Sequence, residues 1–566
     1  MKRNKNKIKH MLSMVLLAGS FSAFSQEVHI VDDGNKDLQC VTEEEYQEFM
    51  KPLLDYKIQK LEAEGKIQPK SGAKTGGGSV VPLAWPLRMA DDYRENSGVY
   101  SYWYVSNFAD LDHDEGDRLD WLCFTGSAAK NYDQHNGADI VPFPFPWQMM
   151  DDESVDVIAA ADGEVIHIFD ANTFDRNCAS PHSFVSEPFN GGYYGNFVAL
   201  RHSDYSITVY AHIKNGTVAD LEDGDQVVAG QFLGKIGSSG NSTAPHLHFE
   251  VRPTESSTYI EPWYDSEGCN DDVTESQWID QVPYYEPQVI RVSTHDAIPV
   301  FKSCSEYEAG ENEAINTSNH FSSVTTVYIG VSLRDYLIGD DLYVEIINSS
   351  GTLMESFSHI ALTDYEAETI YFSESTFGYA TGAYKIKVTH DGKSYYHFFT
   401  VNCPASLTLS GAQSGVKGYI SGGSVTSTAT ISGSSTNDIL YQGETHVQLN
   451  VGFQATVNCE FRAEVDDCTL GGVKEAEIPE EGTSDAIKIF PNPNFGIFTL
   501  QYKTDGFSDI QYVVRNMMGD VVFESNQYND VNTISETVNL SDLAKGVYML
   551  EVRNADAITT EKIVIQ

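Results

Sequence analysis

Short alternations of apolar and polar residues recur along most of the chain, and they predict strands far more often than helices. Val155-Asp-Val-Ile-Ala, Gly163-Glu-Val-Ile-His-Ile, Asn196-Phe-Val-Ala-Leu and Ser206-Ile-Thr-Val-Tyr are β-branched runs divided by Gly and Asp turns. Further on, Tyr384, Ile386 and Val388 alternate with Lys385 and Lys387, giving one apolar face and one wet face. Tyr343-Val-Glu-Ile-Ile and Ser394-Tyr-Tyr-His-Phe-Phe-Thr are similar. One helix-like stretch runs from Glu43 to Gly65. The fold class expected is mainly β: an antiparallel β-sheet core, then β-sandwich accessory modules and a small C-terminal β-sandwich.

Punctuation in the chain sets the domain limits. Lys2, Arg3, Lys5, Lys7 and Lys9 precede an apolar run from Met11 to about Phe24, with small Ala23 and Ser25 before Gln26. This reads as a signal peptide over residues 1–25, too short to span a bilayer, where roughly 20 apolar residues are needed. Residues 26–80 read as a spacer or pro-segment closing on the flexible linker Ser71-Gly-Ala-Lys-Thr-Gly-Gly-Gly-Ser79. All six tryptophans lie between Trp85 and Trp278, marking one large domain over 81–285. A β-sandwich is expected over 286–402 and a small repetitive β-module over 403–475. An acidic linker at 476–484 then leads to a final strand-rich unit over 485–566.

The formal net charge of −46 argues against nucleic acid and anionic membrane surfaces as partners, because both repel such a chain. Stable membrane insertion is not expected either. None of the eight cysteines forms a Cys-x-x-Cys pair, which argues against a thiolate metal site. In an exported chain their even number favours disulfides. Cys459 with Cys468, and Cys304 with Cys403, are the simplest pairs, and the connectivity stays open.

Three short segments carry candidate chemistry. Pro245-His-Leu-His-Phe-Glu250 puts His246 and His248 on one face of a strand, with Leu247 and Phe249 turned to the core. His135-Asn-Gly-Ala-Asp139 offers an imidazole and a carboxylate, and Gly137 lets the chain bend so that both converge. Val209-Tyr-Ala-His-Ile213 ends in His212, which alone reads as a structural histidine. A catalytic zinc site needs three such ligands and one open position.

Together these pieces resemble the lysostaphin-type zinc endopeptidases in order, spacing and flanking residues. Ala160-Ala-Asp-Gly-Glu-Val-Ile, Gly195-Asn-Phe-Val, Asp223-Gly-Asp-Gln-Val-Val-Ala-Gly-Gln and Ile236-Gly-Ser-Ser-Gly-Asn-Ser-Thr-Ala-Pro-His extend the likeness over residues 133–252. The resemblance implies one zinc ion held by His135, Asp139 and His248, with His246 and His212 as catalytic imidazoles. It implies that His246 moves the proton of the attacking water while His212 stabilises the oxyanion. The loops depart from the simplest members: Val141-Pro-Phe-Pro-Phe-Pro-Trp147 through Asp152, and a long insertion from Asp170 to Asn190, would line the groove. Asp110-Leu-Asp-His-Asp-Glu-Gly-Asp-Arg-Leu-Asp120 lacks the Gly and Glu of a calcium loop, having Glu115 and Trp121 there, and reads as a solvated acidic loop.

Ile489-Phe-Pro-Asn-Pro-Asn-Phe-Gly-Ile-Phe-Thr-Leu500, Leu543-Ala-Lys-Gly-Val-Tyr-Met-Leu550 and Lys562-Ile-Val-Ile-Gln566 resemble the C-terminal sorting domain of the type IX secretion system of Bacteroidota. This implies that type IX machinery is a partner and that the chain is secreted or held at the cell surface. The expected activity is hydrolysis of peptide cross-links in bacterial peptidoglycan. Two other readings are a peptidase for Gly-rich extracellular proteins and a non-catalytic wall-binding or adhesive scaffold.

Overall fold

The computed structural model describes residues 29–31, 43, 46–69, 81–90, 98–112, 116–171, 175, 192–252, 258–302, 306, 310–311, 313–432, 434, 437–456, 459–465, 487–490, 496–516, 521–525, 528–541, 543–553 and 558–565. The signal peptide, the Gly/Ser linker, the acidic linker, most of the Asp170–Asn190 insertion, and Cys40, Cys178, Cys304 and Cys468 lie outside them.

Antiparallel pairing dominates, and the centre of the first unit is a seven-stranded sheet. Its strands are β1 (Trp103–Asn107), β2 (Ala138–Pro142), β3 (Gly163–Phe169), β4 (Asn196–Arg201), β5 (Ile207–Ile213), β6 (Gln226–Val227) and β7 (Leu247–Arg252). They lie in the order β1-β2-β7-β5-β4-β3-β6. Period-two alternation gives the sheet two different faces. Ala138, Ile140, Val198, Tyr210, Leu247, Phe249 and Val251 turn to one face and join Trp263 and Trp278 in a buried apolar cluster. Trp85 packs against that cluster, its ring 4.3 Å from that of Trp103 and 5.6 Å from that of Trp278, both tilted. A disulfide between Cys123 and Cys269, which no sequence pattern indicated, ties the loop before β2 to the segment beyond β7.

The opposite face carries Ala199, Ile207, Val209 and Ala211, and part of the expected spacer packs on it. Helix α1 (Lys51–Ala63) buries Leu54, Ile58 and Leu61 there, and Tyr46 and Met50 just before it are buried as well. Pro52 stands where a π-helical turn over Tyr46–Met50 passes into the α-helix.

Residues 288–401 form two sheets around a second core, with Val331, Leu333, Val344, Ile386 and Phe399 fully buried. His29–Val31 adds an edge strand to one of them by pairing with Thr369–Tyr371. From 407 to 465 every strand pair is parallel, in three three-stranded sheets. Val416, Asp438 and Glu460 head successive rungs of one sheet, 22 residues apart, so the repetitive module is a parallel solenoid. Tyr419, Tyr441 and Phe461 from successive rungs meet edge to face, with Tyr441 fully buried between the other two. Cys459 is a free thiol here, which corrects its expected pairing with Cys468. Cys403 is disulfide-bonded.

The second unit is antiparallel. A long strand, Ile497–Asn516, pairs through its first half with Thr533–Asn539 and through its second with Tyr548–Arg553. Phe498, Leu500, Tyr512, Leu550 and Ile563 make its core.

Candidate metal centre and catalytic imidazoles

Strand pairing assembles the site from segments far apart in sequence. β7 pairs with β2 so that His248 stands opposite Asp139, and with β5 so that His248 stands opposite Ala211. His135 arrives from the turn before β2, with Gln134 in the left-handed region at φ 62°. His212 is also left-handed, at φ 59°, where β4 and β5 lose register between Asn196 and Val198. A β-branched or bulky residue rarely adopts this backbone, and such strain clusters at functional sites. The bulge re-aims the imidazole, placing its ring 4.6 Å from that of His246 and 5.9 Å from that of His248.

His135, Asp139 and His248 each offer one donor atom, and the three atoms lie within 4.8 Å of one another. Nε2 of His135 is 3.2 Å from Asp139 Oδ1, and Nδ1 of His248 is 2.9 Å from the same oxygen. The two ring nitrogens are 3.3 Å apart. His246 is adjacent, its Nε2 at 3.6 Å from Asp139 Oδ1. All five side chains are fully buried.

Hydrogen bonds on the outer side decide which atoms face inward. Nδ1 of His135 lies 2.7 Å from the carbonyl of Phe108, which can only accept, so this nitrogen carries the proton and Nε2 presents its lone pair. Nε2 of His248 donates to Glu250 Oε1 at 3.2 Å, leaving Nδ1 as the inward lone pair. Asn107 Nδ2 donates to Asp139 Oδ2 at 3.1 Å, leaving Oδ1 inward. Three lone-pair atoms thus converge in a dry site, an arrangement that repels itself unless a cation sits among them. Two imidazoles and a carboxylate are a suitable catalytic zinc set, and separations near 3.3 Å suit tetrahedral bonds of about 2.0–2.1 Å. The residues fit the metal.

Burial alone would raise the Asp139 carboxyl, but the imidazoles of His135, His246 and His248 around it hold it well below the usual carboxylate range. Burial likewise opposes charge on Glu250, yet Arg252, His248 and Tyr194 keep its carboxyl below the usual range. Tyr194, pushed well up by burial and by Glu250, stays protonated and donates to Glu250 Oε1 at 2.5 Å.

The sequence singled out all five residues, and the structure brings all five together. Sequence reasoning missed Asn107, Tyr194 and Arg252. Arg252 had a legible signal, since it follows His246, His248 and Glu250 at period two and shares their face; Asn107 and Tyr194 had none. Because Asn107 fixes the outer oxygen of Asp139, Asn107→Ala is expected to weaken zinc binding about 10- to 100-fold, read by chelator competition. The two ends of the Asp110–Asp120 stretch, Asp110 and Asp120, are less solvated than expected. Asp110 is fully buried and accepts from the N–H groups of Asp112, Leu119 and Gln134, while buried Asp120 accepts from those of Leu122, Phe124 and Lys130. Both organise turns.

Parts of this chain are similar to known proteins. DD-carboxypeptidase/endopeptidase Mpg of Neisseria meningitidis is 43% identical over 61 residues, 11% of this chain and 13% of that protein. Peptidoglycan DD-endopeptidase ShyC of Vibrio cholerae is 43% identical over 56 residues, 10% of this chain and 12% of that protein. Peptidoglycan DD-endopeptidase ShyA of the same organism is 37% identical over 62 residues, 11% of this chain and 14% of that protein. The chain therefore spans about an eighth of the length of the curated relatives it matches. Residues 135–262, which hold His135, Asp139, His212, His246 and His248, are a domain of Peptidase family M23, and residues 488–566 are a secretion system C-terminal sorting domain.

Proposed function

We propose that this chain is an exported zinc endopeptidase that hydrolyses peptide cross-links of bacterial peptidoglycan. The observation that carries this reading is the convergence of three inward lone pairs, from His135, Asp139 and His248, beside two further imidazoles. The names of the relatives support peptidoglycan as the substrate. The sorting domain supports export by type IX machinery, after removal of residues 1–25 as a signal peptide.

His135 Nε2, Asp139 Oδ1 and His248 Nδ1 would hold the zinc. When bound, zinc supplies Lewis acidity, which polarises a carbonyl and brings the acidity of water towards about pH 7. His246 donates Nδ1–H to the carbonyl of Ala244 at 2.8 Å, so a neutral ring presents its Nε2 lone pair to the site. That nitrogen takes the proton of the attacking water and returns it to the leaving amine. His212 donates Nδ1–H to the carbonyl of Ser239 at 2.7 Å. A proton at its Nε2 as well lets the ring donate to the oxyanion of the tetrahedral intermediate.

The test is release of new amino groups from purified peptidoglycan by the full chain, with and without a zinc chelator. Release that the chelator abolishes and added zinc restores is expected. Release insensitive to chelation would overturn the metal; no release from a zinc-loaded chain would overturn peptidoglycan as substrate.

A further inference from the structure

A buried arginine links the metal-ligand strand to the N-terminal segment. Arg252 is fully buried, and its guanidinium lies between two carboxylates. Toward the site, Nε donates to Glu250 Oε2 at 2.9 Å, and Glu250 Oε1 in turn accepts from His248. Away from the site, Nη2 donates to Glu43 Oε2 at 3.0 Å, and the guanidinium lies over the ring of Tyr46. Glu43 also donates its backbone N–H to the carbonyl of Gln134, the residue before His135.

The same segment is fastened elsewhere. Lys57 pairs with Asp223 at 2.6 Å, and buried Arg201 donates to Glu62 at 2.9 Å and to the carbonyl of Gln68 at 2.7 Å. Between these polar anchors, Leu54, Ile58 and Leu61 cover the apolar half of the sheet face that carries the site. Taking the segment away would cost two buried arginines one of their two carboxylate partners each, leaving Arg201 with Glu164 and Arg252 with Glu250, and would bare that face, and either change is costly.

We propose that Glu43 and residues 46–68 are a permanent wall of the peptidase domain, and that Glu43 is a positioning residue for His248 through Arg252 and Glu250. The segment is then neither a removable pro-segment nor a spacer. A carboxylate holding the outer nitrogen of a ligand histidine fixes its tautomer and rotation. Glu43 extends that hold by fixing the arginine that fixes the carboxylate. The proposal rests on the zinc-peptidase reading above.

The variant to test is Glu43→Gln in the full chain, since replacing Arg252 would leave Glu250 a buried charge without its partner and could unfold the domain. Zinc affinity is measured by competition with a chromogenic chelator, and the site is probed by visible absorption after cobalt substitution. Melting of each apo protein checks the fold. Glu43→Gln is expected to raise the zinc dissociation constant about tenfold and shift the cobalt spectrum, with Glu43→Asp recovering part of both. Lys57→Gln breaks an anchor of the same helix at the far side of the sheet, and is expected to leave zinc affinity and spectrum as in the parent. Parent-like zinc binding by Glu43→Gln would overturn the positioning role. Equal weakening by Lys57→Gln would overturn it too, by reducing the effect to general loosening. A parent chain that binds no zinc would instead fail the functional reading, and the positioning role would fall with it.

Discussion

Asp139→Ala is expected to abolish hydrolysis and to remove stoichiometric zinc from the chain. The carboxylate is the only charged member of the three converging groups, and its Oδ1 stands 3.2 Å and 2.9 Å from the two imidazole donors. Two neutral imidazoles alone do not offset the charge of a dication in a fully buried site. Zinc affinity is therefore expected to fall by more than the roughly 10- to 100-fold that loss of an outer hydrogen-bond partner costs. Metal content by atomic emission, measured beside activity, checks the result. A variant that keeps one tightly held zinc per chain would show that the donor set has been wrongly assigned.

His246→Ala is expected to behave differently: activity falls by about 10²–10⁴, the usual contribution of a general acid–base, while zinc stays bound. The distinction comes from geometry. His246 Nε2 approaches Asp139 Oδ1 only to 3.6 Å, and His246 stands outside the group of three donor atoms that lie within 4.8 Å of one another. Its Nδ1 is fixed by the carbonyl of Ala244, so the ring is held ready at one orientation. The loss should fall on kcat rather than on KM, because the proton moves in the transition state and not on binding. Zinc lost together with activity would make His246 a ligand; activity retained would remove it from the mechanism.

Much of the peptidase domain was legible because its signals are local. The alternation His246, Leu247, His248, Phe249 states which residues face the core and which do not, and the structure has Leu247 and Phe249 in the apolar cluster. The mainly β fold class followed from the same alternation along the chain. Other features lacked a local signal. Asn107 reaches Asp139 only because β1 lies beside β2, and Cys123 meets Cys269 across 146 residues. The helix-like pattern of Glu43–Gly65 was visible, but its place against the sheet was not, since an amphipathic pattern says that a face is buried and not against what.

The sequence by itself determined the five candidate side chains, the strand character of the segments that carry them, and the sorting domain at the C-terminal end. The strand character follows from backbone periodicity, which converts short separations directly into shared faces, while the five side chains and the sorting domain rest on the resemblance of their motifs to known families. Only the tertiary structure decided which nitrogen of each ligand histidine faces inward. That choice depends on acceptors from distant parts of the chain, the carbonyl of Phe108 for His135, or from an acid held in place by them, Glu250 for His248. It also decided that the stretch beginning at Glu43 belongs to the same core as the site. Arg201 and Arg252 each pair with one carboxylate of the sheet, Glu164 and Glu250, and with one from that stretch, Glu62 and Glu43, and pairing over such distances is set by packing rather than by any pattern along the chain.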